Sequence, residues 1–247
     1  MDQEFLALAL AIFGASALQS ATGIGFGIIA GPVLLIVLKD SSAIQISIVL
    51  NLLIALILTP SIRQEVNRPL LKQLLIGLAI GSPVGLLIYV SISIDWLKAF
   101  AGLIVLFTLI MVYRSKPSHS HPQEKPLPKT KTIAVGIVAG IMGGSLAMPG
   151  PIPAAWMAAN GIDKSSIRAT ILAMFVFAYT LALALQLSFA QFNAETLQHC
   201  ANLALPTIGG ILLGRFLSHR ISANLFRRLL MIILAATAFT LLSTISF

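Results

Sequence analysis

Charge is scarce in this sequence. Only 10% of its 247 residues are charged, against 57% hydrophobic. A soluble domain carries roughly a quarter charged residues, so the polar side chains are too few to cover a water-facing globule. That excludes a cytosolic enzyme, a disordered chain and a nucleic-acid binder, despite a net charge of +8. The basic excess is explained instead by where charges fall relative to a membrane. Cysteine is nearly missing. Cys200 stands alone, which excludes a disulfide framework, a thiolate metal cluster and an electron carrier working through a cysteine pair. With two Trp, three Tyr and no period-2 strands, the chain does not read as an outer-membrane barrel. The remaining class is an all-α polytopic membrane protein.

A helix crossing the hydrocarbon core needs about 20 apolar residues. Clear runs cover 43–59, 70–90, 96–113, 169–187, 200–217 and 225–245. Two more apolar regions, 5–38 and 132–160, are interrupted by glycine and proline. The acidic start Met1-Asp2-Gln3-Glu4 does not read as the n-region of a signal peptide. Lysine and arginine set the expected topology. Arg63, Arg68 and Lys72, then Arg114 to Lys131, Lys164 and Arg168, and Arg215 to Arg228 hold fourteen of the sixteen basic residues, whereas 188–199 has none. Those basic loops are expected in the cytoplasm, with 39–41, 91–95, 188–199 and both termini outside.

This assignment makes 5–38 enter and leave on one face, and 132–160 on the other. Each is expected to be a re-entrant or broken-helix hairpin with legs of about 12–18 residues, mostly too short to cross. The two segments also match. Pairing Pro32 with Pro151 pairs Gly25 with Gly144 and Gly31 with Gly150, and Asp40 then falls on Asp163 after a short insertion. Each hairpin precedes three spans, an odd number of crossings, so the second copy is expected to be inverted. The domain division is 1–113, a proline-rich cytoplasmic linker at 114–131, and 132–247. Inverted repeats with glycine- and proline-broken helices at matching positions point to a secondary transporter with a site at the membrane midplane. His119 and His121 in the linker lack the carboxylates or thiolates of a metal site, and no metal or cofactor is expected.

The residues Gly23-x-Gly25-x-Gly27-x4-Pro32, Gly140-x2-Gly143-Gly144-Ser145-x-Ala147-Met148-Pro149-Gly150-Pro151 and Arg168-Ala169-Thr170 resemble the TauE/SafE sulfite-exporter family, also called the 4-toluene sulfonate uptake permease family. The resemblance runs from about residue 5 to 245. Phe26 inside the first glycine run, and Ser145-Leu146 in the second, depart from the family's glycine pattern. The resemblance implies export or uptake of sulfur-containing anions such as sulfite or small organosulfonates across a bacterial inner membrane, with export as the expected direction.

The chemistry of the residues agrees with an anion. No lysine or arginine falls at mid-depth of the expected spans, so compensation must come from helix N-termini and glycine N–H groups. The expected substrate-binding residues are Gln19, Ser20, Thr22, Gly23, Gly25, Phe26, Gly27, Asn51, Gly143, Gly144, Ser145, Met148 and Pro149. Asp40, Asp163 and Arg168 are the gate or coupling candidates; the two aspartates also stand where helix N-caps belong. Close helix packing is the competing role for the glycines. The expected partners are a small anion and the lipid bilayer, with a second copy of the chain as a candidate. The competing function is a non-transporting integral subunit or assembly partner. An intramembrane enzyme would need a Ser–His, paired-Asp or zinc arrangement at depth, and the sequence offers none.

Overall fold

The computed structural model describes residues 3–23, 25–114, 127–217 and 223–243. All regular structure among them is helical: α1 (Gln3–Thr22), α2 (Phe26–Leu38), α3 (Ser42–Ile62) with a 3-10 turn at Arg63–Glu65, α4 (Arg68–Ser91), α5 (Ile94–Arg114), α6 (Lys129–Leu146), α7 (Pro151–Ala159), α8 (Lys164–Phe189), α9 (Ala194–Leu217) and α10 (Ala223–Ser243). Five of these are long and apolar enough to cross a membrane, namely α1, α3, α4, α5 and α8. Leu10, Leu87, Leu103, Phe177 and Leu205 are exposed, as lipid-facing positions would be, since lipid and not water is their expected solvent.

Both interrupted segments are broken helices, and each break follows from local chemistry. Between α1 and α2 the chain passes through Gly23 at φ 86° and Gly25 at φ 142°, a region that side chains with a Cβ rarely enter. Between α6 and α7 it turns at Ala147, held in the left-handed region at φ 57°. The N–H groups of Ala147 and Met148 donate back to the carbonyls of Gly143 and Met142 at 3.2 Å each, which closes the end of α6. Pro151 then opens α7 at its first position, where a missing N–H costs little. The first leg is longer than its sequence suggested. With nothing to stop it before Gly23, α1 has 20 residues, about 30 Å, enough for the core. The short legs are α2 with 13 residues and α7 with 9, about 20 and 14 Å.

Hydrogen bonds fix which loops share an end. Tyr89 Oη donates to the Ser41 carbonyl at 3.2 Å, and Gln45 Nε2 to the Gln191 carbonyl at 2.9 Å. These join the loops at 39–41, 92–93 and 190–193. At the opposite end the Asn67 N–H donates to Thr170 Oγ1 at 3.0 Å. There too Arg215 Nη2 donates to the Ile57 carbonyl at 3.2 Å and to Ser61 Oγ at 3.1 Å. Apart from Lys39, the described basic loop residues gather at this second end, and the loop without Lys or Arg lies at the first. Of the linker, residues 115–126, with His119 and His121, lie outside the described residues, and Lys129 and Lys131 already belong to α6.

Two helix pairs dominate the packing, α4 on α6 and α1 on α9. In the first, Gly77, Gly81 and Gly85 face Gly136, Gly140 and Gly144. A Cβ at Gly77, Gly81 or Gly85 would strike the carbonyls of Ile133, Ile137 and Ile141, and one at Gly136, Gly140 or Gly144 those of Leu74, Leu78 and Ser82. Backbone lies on backbone along about three turns, so dispersion and Cα–H···O contacts replace side-chain interdigitation. In the second pair, Gly210 and Gly214 abut Phe13, Ser16, Ala17 and Ser20. Both pairs run parallel, which fixes where α1 and α6 start. The α1–α2 hairpin opens toward the 39–41 end, and the α6–α7 hairpin toward the basic end.

Candidate functional site

The two breaks pack on each other. A Cβ at Gly27 would sit 2.5 Å from the Ala147 oxygen and 3.6 Å from Asn51 Nδ2. One at Gly31 would sit 3.2 Å from Met148 Cε and 3.8 Å from Ser47 Oγ. The first two turns of α2 therefore lie directly against the turn at 147–148, flanked by α3. Residues 25–32 and 142–151 are all buried, so the junction is closed to both ends of the bundle.

Side chains of neighbouring helices hold the backbone groups that the breaks release. Gln19 Oε1 accepts the Phe26 N–H at 2.8 Å, and Gln19 Nε2 donates to Asn51 Oδ1 at 3.3 Å. Asn51 Nδ2 in turn donates to the Ser47 carbonyl at 2.9 Å and Oγ at 3.3 Å. At the other break Tyr179 Oη donates to the Ala147 carbonyl at 3.1 Å, and Gln186 Nε2 to that of Gly144 at 3.3 Å. The sequence reading missed Tyr179 and Gln186. Their signal was a polar pair seven residues apart, hence on one stripe of the largely apolar second half of α8.

The structure brings Gly25, Phe26, Gly27, Gln19, Asn51 and Met148 to this junction. Others of the expected set lie beside it with different immediate neighbours. Ser20 Oγ donates to the Ile211 carbonyl of α9 at 2.9 Å. Thr22 and Ser145 bond back to the carbonyls of Leu18 and Ile141 within their own helices, at 2.8 and 2.7 Å. A Cβ at Gly143 would sit 3.1 Å from Pro149 Cβ, so these two residues let the chain fold back over the last turn of α6. Gly144 lies in the seam with α4. Gly23 is covered by Arg168, whose Nη2 donates to the Ser20 carbonyl at 2.7 Å, the negative end of the α1 dipole. Asp163 caps α8, whereas Asp40 stands one residue before Ser41, the N-cap of α3. Asp40 Oδ1 accepts the Ser42 N–H at 2.7 Å. Asp163 Oδ1 accepts Ser165 Oγ at 2.6 Å and the Ser166 N–H at 2.9 Å, and these bonds hold its carboxyl below the usual carboxylate pKa.

The two half-helix N-termini differ chemically. The first turn of α2 begins Phe26-Gly27-Ile28, and every one of these residues has an N–H. The first turn of α7 begins Pro151-Ile152-Pro153, in which only Ile152 has one. Prolines that open a helix cleanly also strip its N-terminus of donors. Most of the first-turn N–H donors at the two half-helix starts therefore belong to α2. Away from the junction, a cavity of about 460 Å³ opens at the 39–41 end, lined by Lys39, Asp40, Tyr89, Phe189 and Gln191 among others.

The family model described as sulfite exporter TauE/SafE matches residues 8–241, which includes both breaks and every helix that contributes to the junction. No curated protein and no solved structure matches the chain. A bundle of apolar helices with two broken helices packed at its centre, matched over nearly its whole length, belongs to the TauE/SafE sulfite exporter family.

Proposed function

We propose that this protein is a secondary transporter that exports a sulfur-containing anion, sulfite or a small organosulfonate, and binds it at the α2 end of the junction between the two breaks. The observation that carries this reading is the close approach of Gly27 to Ala147 inside a fully buried region. A broken helix exposes N–H groups, and burial in low dielectric strengthens what they offer an anion. No buried cation is needed, so the large desolvation cost of one is avoided. Phe26 and Met148 supply an apolar wall for an organic tail.

On this reading residues 1–113 and 132–247 are inverted repeats joined by the 114–131 linker. The packing supports it, because exchanging the halves converts α4 on α6 into α9 on α1, and leaves α3 on α8 and α5 on α10 unchanged. The gathering of basic loops at one end supports a cytoplasmic position for that end, with both termini outside in a bacterial inner membrane.

The test is flux of labelled sulfite from proteoliposomes, with chloride and a carboxylate as controls. Saturable flux in the wild type and its loss in Gly25→Ala are expected, because a Cβ is strained at φ 142°. Folded, reconstituted protein that moves none of sulfite, sulfoacetate or an aromatic sulfonate would favour a non-transporting membrane subunit instead.

A further inference from the structure

We infer that Gln19 is a built-in competitor for the transported anion, and that its displacement from the Phe26 amide is a condition for binding. The inference rests on the site proposed above. Its basis is the chemistry of one contact. Phe26 is the first residue of α2, so its N–H has no partner within the helix. Gln19 Oε1 occupies that N–H at 2.8 Å. An amide oxygen there has the same role as one oxygen of a sulfur oxoanion, as an acceptor at a helix N-terminus. Because α7 brings a single N–H in its first three residues, the Phe26 group is one of few donors at the junction, and an anion cannot use it while Gln19 does.

The side chain is held, but not tightly. Its amide nitrogen makes a long bond of 3.3 Å to Asn51 Oδ1. Asn51 is anchored to Ser47 through two contacts of its own nitrogen, so turning Gln19 away releases only Asn51 Oδ1 and leaves that side chain in place. Gln19 is 1% exposed and Asn51 fully buried. The arrangement pairs the Phe26 N–H with Gln19 and Gln19 with Asn51, which removes the cost of an unpaired buried N–H. It also lowers apparent affinity, because only the fraction of molecules with Gln19 turned away is competent. A transporter gains from this, since a site that closes on its own side chain can return empty without leaving naked donors in the membrane.

The sign of one measurement separates a competitor from a ligand. Sulfite binding is measured by isothermal titration in oxygen-free buffer on the purified full chain, for wild type, Gln19→Ala and Gln19→Met. The methionine keeps the packing volume while removing the strong acceptor. Both substitutions should bind sulfite roughly fivefold more tightly, the equivalent of one net hydrogen bond. Gln19→Glu should bind roughly tenfold more weakly or worse, since a carboxylate holds the same N–H more strongly. Wild-type binding with equal or weaker affinity in both neutral variants would overturn the competitor and leave the site standing. No sulfite binding by wild type or any variant would overturn the site and the competitor together. Size exclusion identifies folded variants, and where only one neutral variant folds, that one decides the sign.

Discussion

The phenol of Tyr179 donates to the carbonyl of Ala147 at 3.1 Å, and Ala147 is one of two described non-glycine residues with positive φ. A fully buried side chain on α8 thus holds the turn that ends α6. Both groups are away from water, so neither has an easy substitute partner.

Removing that hydroxyl tests how far the turn depends on it. Tyr179→Phe keeps the ring and its contact with Phe175, whose centroid is 5.3 Å away, and leaves the Ala147 carbonyl without this donor. A cost of about 1–2 kcal/mol is expected, seen as a melting temperature a few degrees lower in detergent. Sulfite flux should fall with it, since the turn lies against Gly27. An unchanged melting temperature and unchanged flux would mean that the turn holds itself through its own backbone bonds.

Glycines in this chain divide into those that are pressed and those that are free. A Cβ at Gly81 would run into the Ile137 carbonyl, whereas one at Gly14 has nothing within 4 Å. Gly81→Ala must separate α4 from α6 and is expected to cut the yield of monodisperse protein severely. Gly14→Ala should leave yield unchanged or raise stability by up to about 1 kcal/mol, the helix-propensity gain. Equal behaviour of the two variants would contradict the seam.

Several of these features are legible in the residues alone. Gly23, Gly25, Pro149 and Pro151 mark the breaks because each restricts or frees the backbone locally, and local rules act without knowledge of the fold. The seam was less accessible. Gly77-x3-Gly81-x3-Gly85 and Gly136-x3-Gly140-x3-Gly144 show small stripes at helical spacing, but a stripe does not name its partner. The Gln19–Asn51 contact joins residues 32 apart in sequence, and nothing in periodicity reports that two polar groups on different helices will meet. Ser20 sits next to Gln19 in sequence and faces α9 instead, since adjacent helical positions point about 100° apart.

Asp163 separates a cap from a coupling residue. Its carboxyl accepts Ser165 Oγ and the Ser166 N–H, bonds that lower its pKa from the ordinary value of 3.8. A carboxyl whose pKa is lower in the folded state contributes stability that is complete above the ordinary value and is lost as pH falls through the lowered one. Asp163→Ala should therefore cost about 1 kcal/mol at pH 7, with less difference from wild type in strong acid. Its pH dependence of sulfite flux between pH 5 and about pH 8 should match that of wild type, because a cap on an exposed helix start carries no proton across. A flattened flux profile in the variant would make Asp163 a coupling group.

The backbone-to-backbone seam between α4 and α6 has a consequence for how the molecule can move. Helices in contact without intervening side chains have no rotamers to exchange, so they cannot slide or tilt past one another by small steps. One member of that pair comes from each half of the chain, and the same is true of α1 with α9. On the proposed transporter reading, the rigid bodies of an access cycle would be composites drawn from both halves, and the boundary between moving parts would not coincide with the midpoint of the sequence.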